Sequence, residues 1–192
     1  SRRMANIMDG DISVVSTLGE GSTFTFTVEA DVVEWNRQVA AEPIHAEVKD
    51  GRALSVLVVE DHPVNRMILE AWMGSAGHGS ATAENGQIAV EAAGEQRFDL
   101  IIMDVNMPVM DGLTATRAIR AGGGPNHDTP VVVLSASARS EDHAAGLDAG
   151  ADAYLNKPID FAALAKVMNR VGGGRAAVRA LVEAGETAAA AA

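Results

Sequence analysis

Residues 100–104 read Leu-Ile-Ile-Met-Asp, a short apolar run that ends directly in a carboxylate. An uncharged run of this length predicts a strand, Leu100–Met103, that is buried on both faces of a parallel sheet. Four further strand-like runs occur along the chain. They are Leu54–Val59, Ser80–Ala83, Val131–Leu134 and Ala153–Leu155.

Segments with helical periodicity follow the predicted strands. In the first of them, apolar residues recur at the spacing i, i+3, i+4, i+7 and i+8 between Val64 and Trp72, which predicts an amphipathic helix. The other segments cover residues 85–96, 112–121, 140–149 and 161–168. A strand followed by a helix, repeated five times, predicts an α/β fold with a five-stranded parallel sheet and helices on both faces.

The regions outside residues 54–171 differ from this pattern. Residues 1–33 carry two strand patterns around a glycine turn, which predicts a short β-rich fragment, and residues 34–53 are expected to form a linker. A glycine break marks the expected domain end, and residues 172–192 form an Ala-rich tail, either a frayed helix or disordered. The chain begins Ser-Arg-Arg without an initiator Met, so we expect it to be an excerpt from a longer protein.

Composition and charge exclude several classes of function. Fifteen Lys and Arg against 26 Asp and Glu give a net charge of −11, so no nucleic-acid partner and no contact with an anionic membrane are expected. The chain has no cysteine, which excludes disulfides and thiolate metal sites. Neither a transmembrane run nor a signal sequence is present in the sequence, so we expect a cytoplasmic segment whose parent protein can be anchored upstream.

Polar residues follow four of the predicted strands. They are Glu60 with Asp61, Asp104, Ser135, and Asn156 with Lys157. Ligands of an open parallel sheet bind at the carboxyl ends of its strands, so these groups are expected to converge. Clustered carboxylates suit Mg²⁺, and a carboxylate can itself be a phosphoryl acceptor. Taken singly, an Asp after a strand is more often a helix cap, but the joint placement favours a Mg²⁺-assisted phosphoacceptor site.

Residues 54–171 resemble the receiver domain of two-component signalling proteins. The resemblance rests on four stretches in the same order and spacing: residues 58–65, 102–112, 135–136 and 156–158. It implies a flavodoxin-like, doubly wound (βα)5 fold and a role for each matching residue. Asp104 would be the phosphoacceptor, Glu60, Asp61, Asp104 and the backbone carbonyl of Asn106 would hold Mg²⁺, Lys157 would bind the phosphoryl group, and Ser135 and Tyr154 would form the switch.

Residues 1–33 resemble the C-terminal end of a histidine-kinase ATPase domain, on the stretches 8–12 and 19–26. Together the two resemblances imply part of a hybrid histidine kinase that lacks a complete kinase core, so neither tight ATP binding nor autophosphorylation is expected. The implied partners are a histidine-kinase dimerisation and phosphoacceptor domain, a histidine-phosphotransfer protein, or both. The implied function is a phosphorelay in which phosphohistidine donates its phosphoryl group to Asp104.

Three other readings of the same pattern lead to different functions. An aspartyl phosphatase normally has a second Asp two positions after its nucleophile, where this chain has Asn106. A dinucleotide-binding module requires a G-x-G-x-x-G turn after the first strand, where residues 60–63 read Glu-Asp-His-Pro. A receiver that acts as an interaction module without phosphorylation stays open as the alternative.

Overall fold

The structure is a computed structural model, and it describes residues 11–17, 19, 21–27, 52–136 and 140–183. It divides into two compact units, of which the first contains a β-hairpin and the second an α/β sheet. Three predicted segments lie wholly or partly outside the described residues. They are most of the linker, Val28 at the end of the second hairpin strand pattern, and residues 184–192 of the tail.

The hairpin consists of β1 (Asp11–Thr17) and β2 (Gly21–Thr27). The strands are antiparallel, with Asp11 opposite Thr27. Gly19 has a φ of 86°, a left-handed conformation that glycine adopts without steric cost. The prediction of a short β-rich N-terminal fragment is therefore confirmed.

The sheet of the second unit has five parallel strands in the order β4-β3-β5-β6-β7. Their bounds are β3 (Ser55–Val59), β4 (Gly79–Ala83), β5 (Leu100–Asp104), β6 (Val131–Ser135) and β7 (Ala153–Asn156). The predicted five-stranded parallel sheet is confirmed. The order of the strands reverses between β3 and β5, and this reversal opens a crevice at their carboxyl ends.

Five helices connect or follow these strands: α1 (Pro63–Ser75), α2 (Gly86–Glu95), α3 (Gly112–Ala121), α4 (Ser140–Ala149) and α5 (Phe161–Met168). Local sequence fixes where they begin. Pro63 occupies the first turn of α1, where its missing N–H costs nothing. Asn85, Asp111 and Asp160 accept hydrogen bonds from the first backbone N–H groups of α2, α3 and α5.

The hydrophobic core has two layers, one on each face of the sheet. Alternate residues of β3 divide between them, with Val56 and Val58 in one layer and Leu57 and Val59 in the other. All four are fully buried, as expected for a strand covered by helices on both sides. This burial holds the strands rigidly and fixes the positions of the polar residues that follow them.

The segment after residue 171 differs from the expected tail. A helix, α6 (Gly174–Glu183), follows a short 3-10 turn at Val171–Gly173. Val178 and Leu181 of α6 are buried in the same core layer as Val56. These two apolar residues lie three positions apart in an Ala-rich stretch, so both face the core. The packed unit therefore extends past residue 171, the predicted domain end. Among the described residues, no helix is both long enough and apolar enough to cross a bilayer.

Candidate functional site

The carboxyl ends of β3, β5 and β7 bring four charged side chains together. Glu60 and Asp61 follow β3, Asp104 is the last residue of β5, and Lys157 follows β7. One carboxylate oxygen from each acidic residue lies within 4.8 Å of the other two. The Nζ atom of Lys157 lies 2.7 Å from Glu60 Oε2 and 2.8 Å from Asp104 Oδ2. The structure thus brings together groups that are separated by up to 97 residues in the sequence.

Asp104 is nearly inaccessible, with 4% of its surface exposed. Its Oδ2 atom pairs with Lys157, while the backbone N–H of Asn106 approaches Oδ1 at 3.4 Å. Burial raises the pKa of Asp104 above its usual range, although the hydrogen bond and the charge of Lys157 oppose this shift. Asp104 pairs with one cation and lies beside a second carboxylate, so a further cation would stabilise its charged form.

Lys157 has two carboxylate partners, and both are largely buried. Burial by itself lowers the pKa of Lys157, but the hydrogen bonds that Lys157 donates to Asp104 and Glu60 outweigh it and raise the pKa above the ordinary value. The side chain therefore carries its positive charge at neutral pH. It is a point charge on a flexible stem that can follow a phosphoryl oxygen.

The three acidic residues fit a hard divalent cation. Glu60 and Asp104 are buried, whereas Asp61 is exposed, so the cluster has a rigid base and an open side. Mg²⁺ prefers carboxylate oxygens and retains several waters, which requires such an open side. Asn106 lies two residues after Asp104, at an exposed position of the loop that follows β5.

The two predicted switch residues lie on neighbouring strands. Ser135 ends β6 and is 3% exposed, and its backbone carbonyl accepts a hydrogen bond from the N–H of Lys157 at 2.8 Å. Tyr154, in β7, is 6% exposed and belongs to the core layer that contains Leu57. The ring of Tyr154 is therefore already turned inward in this structure, whereas the predicted switch turns it inward on phosphorylation.

Sequence reasoning missed two residues that support the site from α1. Asn65 Nδ2 donates a hydrogen bond to Glu60 Oε1 at 2.9 Å. Arg66 Nη1 donates to the backbone carbonyl of Glu60 at 2.7 Å. Asn65 stands inside a stretch that carries the family resemblance, but one sequence gives no sign that a residue of the first helical turn reaches back to the acidic pair.

Comparison with curated proteins points to sensor kinases. The chain is 36% identical to the sensor protein EvgS of Escherichia coli O157:H7 over 154 residues, which cover 79% of this chain and 12% of EvgS. It is 39% identical over 131 residues to the hybrid signal transduction histidine kinase G of Dictyostelium discoideum, which cover 67% of this chain and 4% of that protein. The chain thus spans only a small part of these relatives.

Solved structures give the same fold at the matched region. The receiver domain of the sensor histidine kinase PA1611 from Pseudomonas aeruginosa, with a magnesium ion coordinated in its active-site cleft, matches at 38% identity and a TM-score of 0.58, over 63% of this chain and 99% of that domain. The receiver domain of Ssk1 from Saccharomyces cerevisiae, co-crystallised with the histidine phosphotransfer protein Ypd1, matches at 31% identity and a TM-score of 0.58, over 63% of this chain and 90% of the matched chain.

A model of a protein family agrees with these individual matches. The family described as the response regulator receiver domain matches residues 56–169, which is more than half of the chain. This range contains every site residue named above, from Glu60 to Lys157. The chain therefore belongs to the response regulator receiver domain family, and its receiver is homologous to those of hybrid sensor kinases.

Proposed function

We propose that this chain is the phosphoacceptor of a phosphorelay and that Asp104 receives the phosphoryl group from a phosphohistidine. The observation that carries the proposal is the contact of Asp104 with Lys157 at 2.8 Å, beside the acidic pair that follows β3. A buried carboxylate at the end of a central strand is rigid, and one open face of the cluster admits a donor. We further propose that the parent protein is a hybrid histidine kinase.

The reaction requires one bond to form and one to break. An Oδ atom of Asp104 attacks phosphorus, the P–N bond of the phosphohistidine breaks, and the imidazole nitrogen leaves with the bonding electron pair. Negative charge accumulates on the phosphoryl oxygens during this transfer. Lys157, already within 2.8 Å of Asp104, supplies positive charge at that point.

Glu60, Asp61 and Asp104, together with the backbone carbonyl of Asn106, would hold Mg²⁺ in this proposal. The ion, when bound, offsets the charge of the carboxylates and of the phosphoryl group. At an effective dielectric constant of about 20, two unit charges 4 Å apart interact with about 4 kcal/mol, so an unneutralised cluster would strongly oppose a dianion. The coordinated magnesium ion of the PA1611 receiver supports this assignment.

An exposed apolar surface on α1 supports a protein donor. Val64, Met67 and Ile68 are 49%, 60% and 45% exposed. Ile68 shares a cleft of about 250 Å³ with Lys157 and Phe161, so the surface borders the reactive site. We propose that a histidine-bearing partner docks here, either a histidine-phosphotransfer protein, the class of protein co-crystallised with the Ssk1 receiver, or the phosphoacceptor domain of a kinase.

We propose that residues 1–33 come from the C-terminal end of a histidine-kinase ATPase domain, with residues 34–53 as the linker to the receiver. The exposed side chains of Val14, Val15 and Phe24 support it, because an isolated two-stranded hairpin normally packs on a larger body. In this proposal the hairpin contributes no catalytic group, and the chain alone does not phosphorylate itself.

The proposal is tested with phosphoramidate, a small donor whose P–N bond mimics that of phosphohistidine. Incubation with Mg²⁺ should add one phosphoryl group to the chain, and hydroxylamine, which cleaves acyl phosphates, should remove it. Lys157→Met, which keeps the stem and deletes the charge, should slow the transfer. No mass gain in the folded parent chain would overturn the proposal and favour the alternative, a receiver that acts as an interaction module without phosphorylation.

A further inference from the structure

We propose that Asn65 is a positioning residue that holds the Glu60 carboxylate and, through it, keeps Lys157 beside Asp104. The inference rests on the proposed function, which it deepens by adding a residue of α1 to the reactive site. Asn65 would act before a phosphodonor binds, by fixing the positions of Glu60 and Lys157.

The contacts form a continuous chain of hydrogen bonds. Asn65 Nδ2 donates to Glu60 Oε1 at 2.9 Å, and Lys157 Nζ donates to the other oxygen, Glu60 Oε2, at 2.7 Å. The same Nζ atom lies 2.8 Å from Asp104 Oδ2. Each oxygen of Glu60 thus has its own donor, and the two donors approach from different elements, the helix α1 and the loop after β7.

Burial makes the orientation of Glu60 sensitive to this contact. Glu60 is 1% exposed, so water cannot readily replace a lost donor on its carboxylate. A buried charged group that loses a hydrogen-bond partner becomes less stable, and its orientation is held by fewer contacts. Without Asn65, the Glu60 carboxylate would lose its fixed angle, and its Oε2 atom would no longer hold Lys157 Nζ beside Asp104.

The backbone fixes Asn65 relative to Glu60. Pro63 sets the first turn of α1, and Arg66 Nη1 donates to the carbonyl of Glu60 at 2.7 Å, which ties the same turn to the end of β3. These contacts place the Asn65 amide where it donates to Glu60 Oε1. Asn65 also lines the cleft that contains Lys157 and Ile68, so it lies between the exposed face of α1 and the reactive site.

The direct test measures Lys157 without metal or phosphodonor. The sequence has three lysines, Lys49, Lys157 and Lys166. In protein labelled with ¹³C,¹⁵N-lysine, the side-chain signal of Lys157 should differ from that of Lys166, which is exposed on α5. In Asn65→Leu, which keeps the size but removes the donor, the Lys157 signal should move toward that of Lys166 by more than half of their separation.

A matched control separates this role from a general effect of losing an amide. Gln87 Nε2 donates to Glu91 Oε1 at 2.9 Å, the same pair of groups at the same distance, on the exposed face of α2. Gln87→Leu should leave the Lys157 signal unchanged. Asn65→Ala is the second variant if Asn65→Leu does not fold, and circular dichroism identifies folded protein.

The second readout is metal affinity, measured by titration with Mg²⁺ alone. Loss of an outer partner of a metal ligand typically weakens affinity by about 10-fold or more, and we expect that change for Asn65→Leu and none for Gln87→Leu. An unchanged Lys157 signal in a folded Asn65 variant would overturn the inference. Because the lysine signal needs no phosphoryl transfer, failure of the proposed function would show separately, as a parent chain that accepts no phosphate.

Discussion

The hydroxyl of Tyr154 occupies the space that a side chain on Gly146 would fill. A Cβ added to Gly146, in the second half of α4, would overlap the hydroxyl oxygen and the ring carbons of Tyr154. The inward position of the Tyr154 ring therefore depends on a glycine in the facing helix. This contact links α4 to β7, the strand that carries the predicted switch residue Tyr154.

Gly146→Ala should drive the Tyr154 ring out of its buried position. Because Tyr154 is the sole tyrosine in the chain, a ¹³C-tyrosine NMR spectrum reports on this ring alone. Alanine normally stabilises a helix by about 1 kcal/mol relative to glycine, and Gly94→Ala on α2 should show that gain, because the added Cβ meets no atom within 4 Å beyond its chain neighbours and the backbone of its own helix. Gly146→Ala should instead lose about 1–3 kcal/mol from overpacking. An unchanged tyrosine signal would show that the ring does not depend on Gly146.

Asp152 should be the most sensitive charged residue for stability. Its side chain is fully buried and contacts three arginines: Arg120 at 2.8 Å, Arg175 at 2.8 Å and Arg179 at 2.7 Å. Burial lowers the pKa of Arg120 to about 10 despite the opposing charge of Asp152.

Asp152→Ala leaves these charges without their carboxylate and should reduce the free energy of unfolding by about 3–5 kcal/mol, measured by urea denaturation. Arg179→Ala, in which the deleted side chain is 45% exposed, should cost about 1 kcal/mol or less. Arg175 and Arg179 belong to α6, so Asp152 attaches this helix to the sheet. Equal losses of unfolding free energy in the two variants would contradict this role of Asp152.

The Asp152 cluster also shows what the sequence could not reveal. The five strands and their helices follow from apolar periodicity, because each element buries a face that its own residues define. The packing of α6 does not follow from apolar periodicity, because its two buried residues, Val178 and Leu181, give no clear pattern within an Ala-rich stretch. The arginines that hold α6 lie 23 and 27 residues from Asp152, and only the folded chain shows that they meet.

The free energy of unfolding should fall on mild acidification, because the buried His78 ring then becomes protonated. The ring is 7% exposed, and its Nδ1 atom accepts a hydrogen bond from the backbone N–H of Leu54 at 3.2 Å. Burial lowers the pKa of His78 below its usual 6.5, so the unfolded chain binds the proton more tightly. The contribution of neutral His78 is present above pH 6.5 and is lost as the pH falls through the lower folded value.

His78→Gln should therefore flatten the pH dependence of the free energy of unfolding below pH 6.5. Parallel curves for the parent and His78→Gln would contradict this prediction.

Asp61 should be required for Mg²⁺ binding but not for folding. It is exposed, and its oxygen completes the acidic cluster with Glu60 and Asp104. Asp61→Ala should weaken Mg²⁺ binding about 10-fold or more, measured by calorimetry, while the free energy of unfolding changes by about 0.5 kcal/mol or less. Asp148→Ala, which removes an exposed carboxylate on α4, is the control. Undiminished phosphorylation in excess chelator would contradict a role for the ion.

The candidate site was predictable to the extent that it lies at strand ends. Glu60, Asp104 and Lys157 terminate or follow buried strands, and parallel strands bring such residues to one edge whatever their sequence separation. Asn65 was not predictable in this way, because its role depends on the angle at which α1 leaves β3. The buried position of Tyr154 likewise depends on Gly146, which has no periodicity to mark it.

The most direct test of the account is an intact-mass measurement after incubation with acetyl phosphate and Mg²⁺. The parent chain and Asp148→Asn should each gain one phosphoryl group, whereas Asp104→Asn, which keeps the size but removes the anionic nucleophile, should gain none while remaining folded by circular dichroism. A full mass gain in Asp104→Asn, or no gain in the parent chain, would contradict the assignment of Asp104 as the phosphoacceptor.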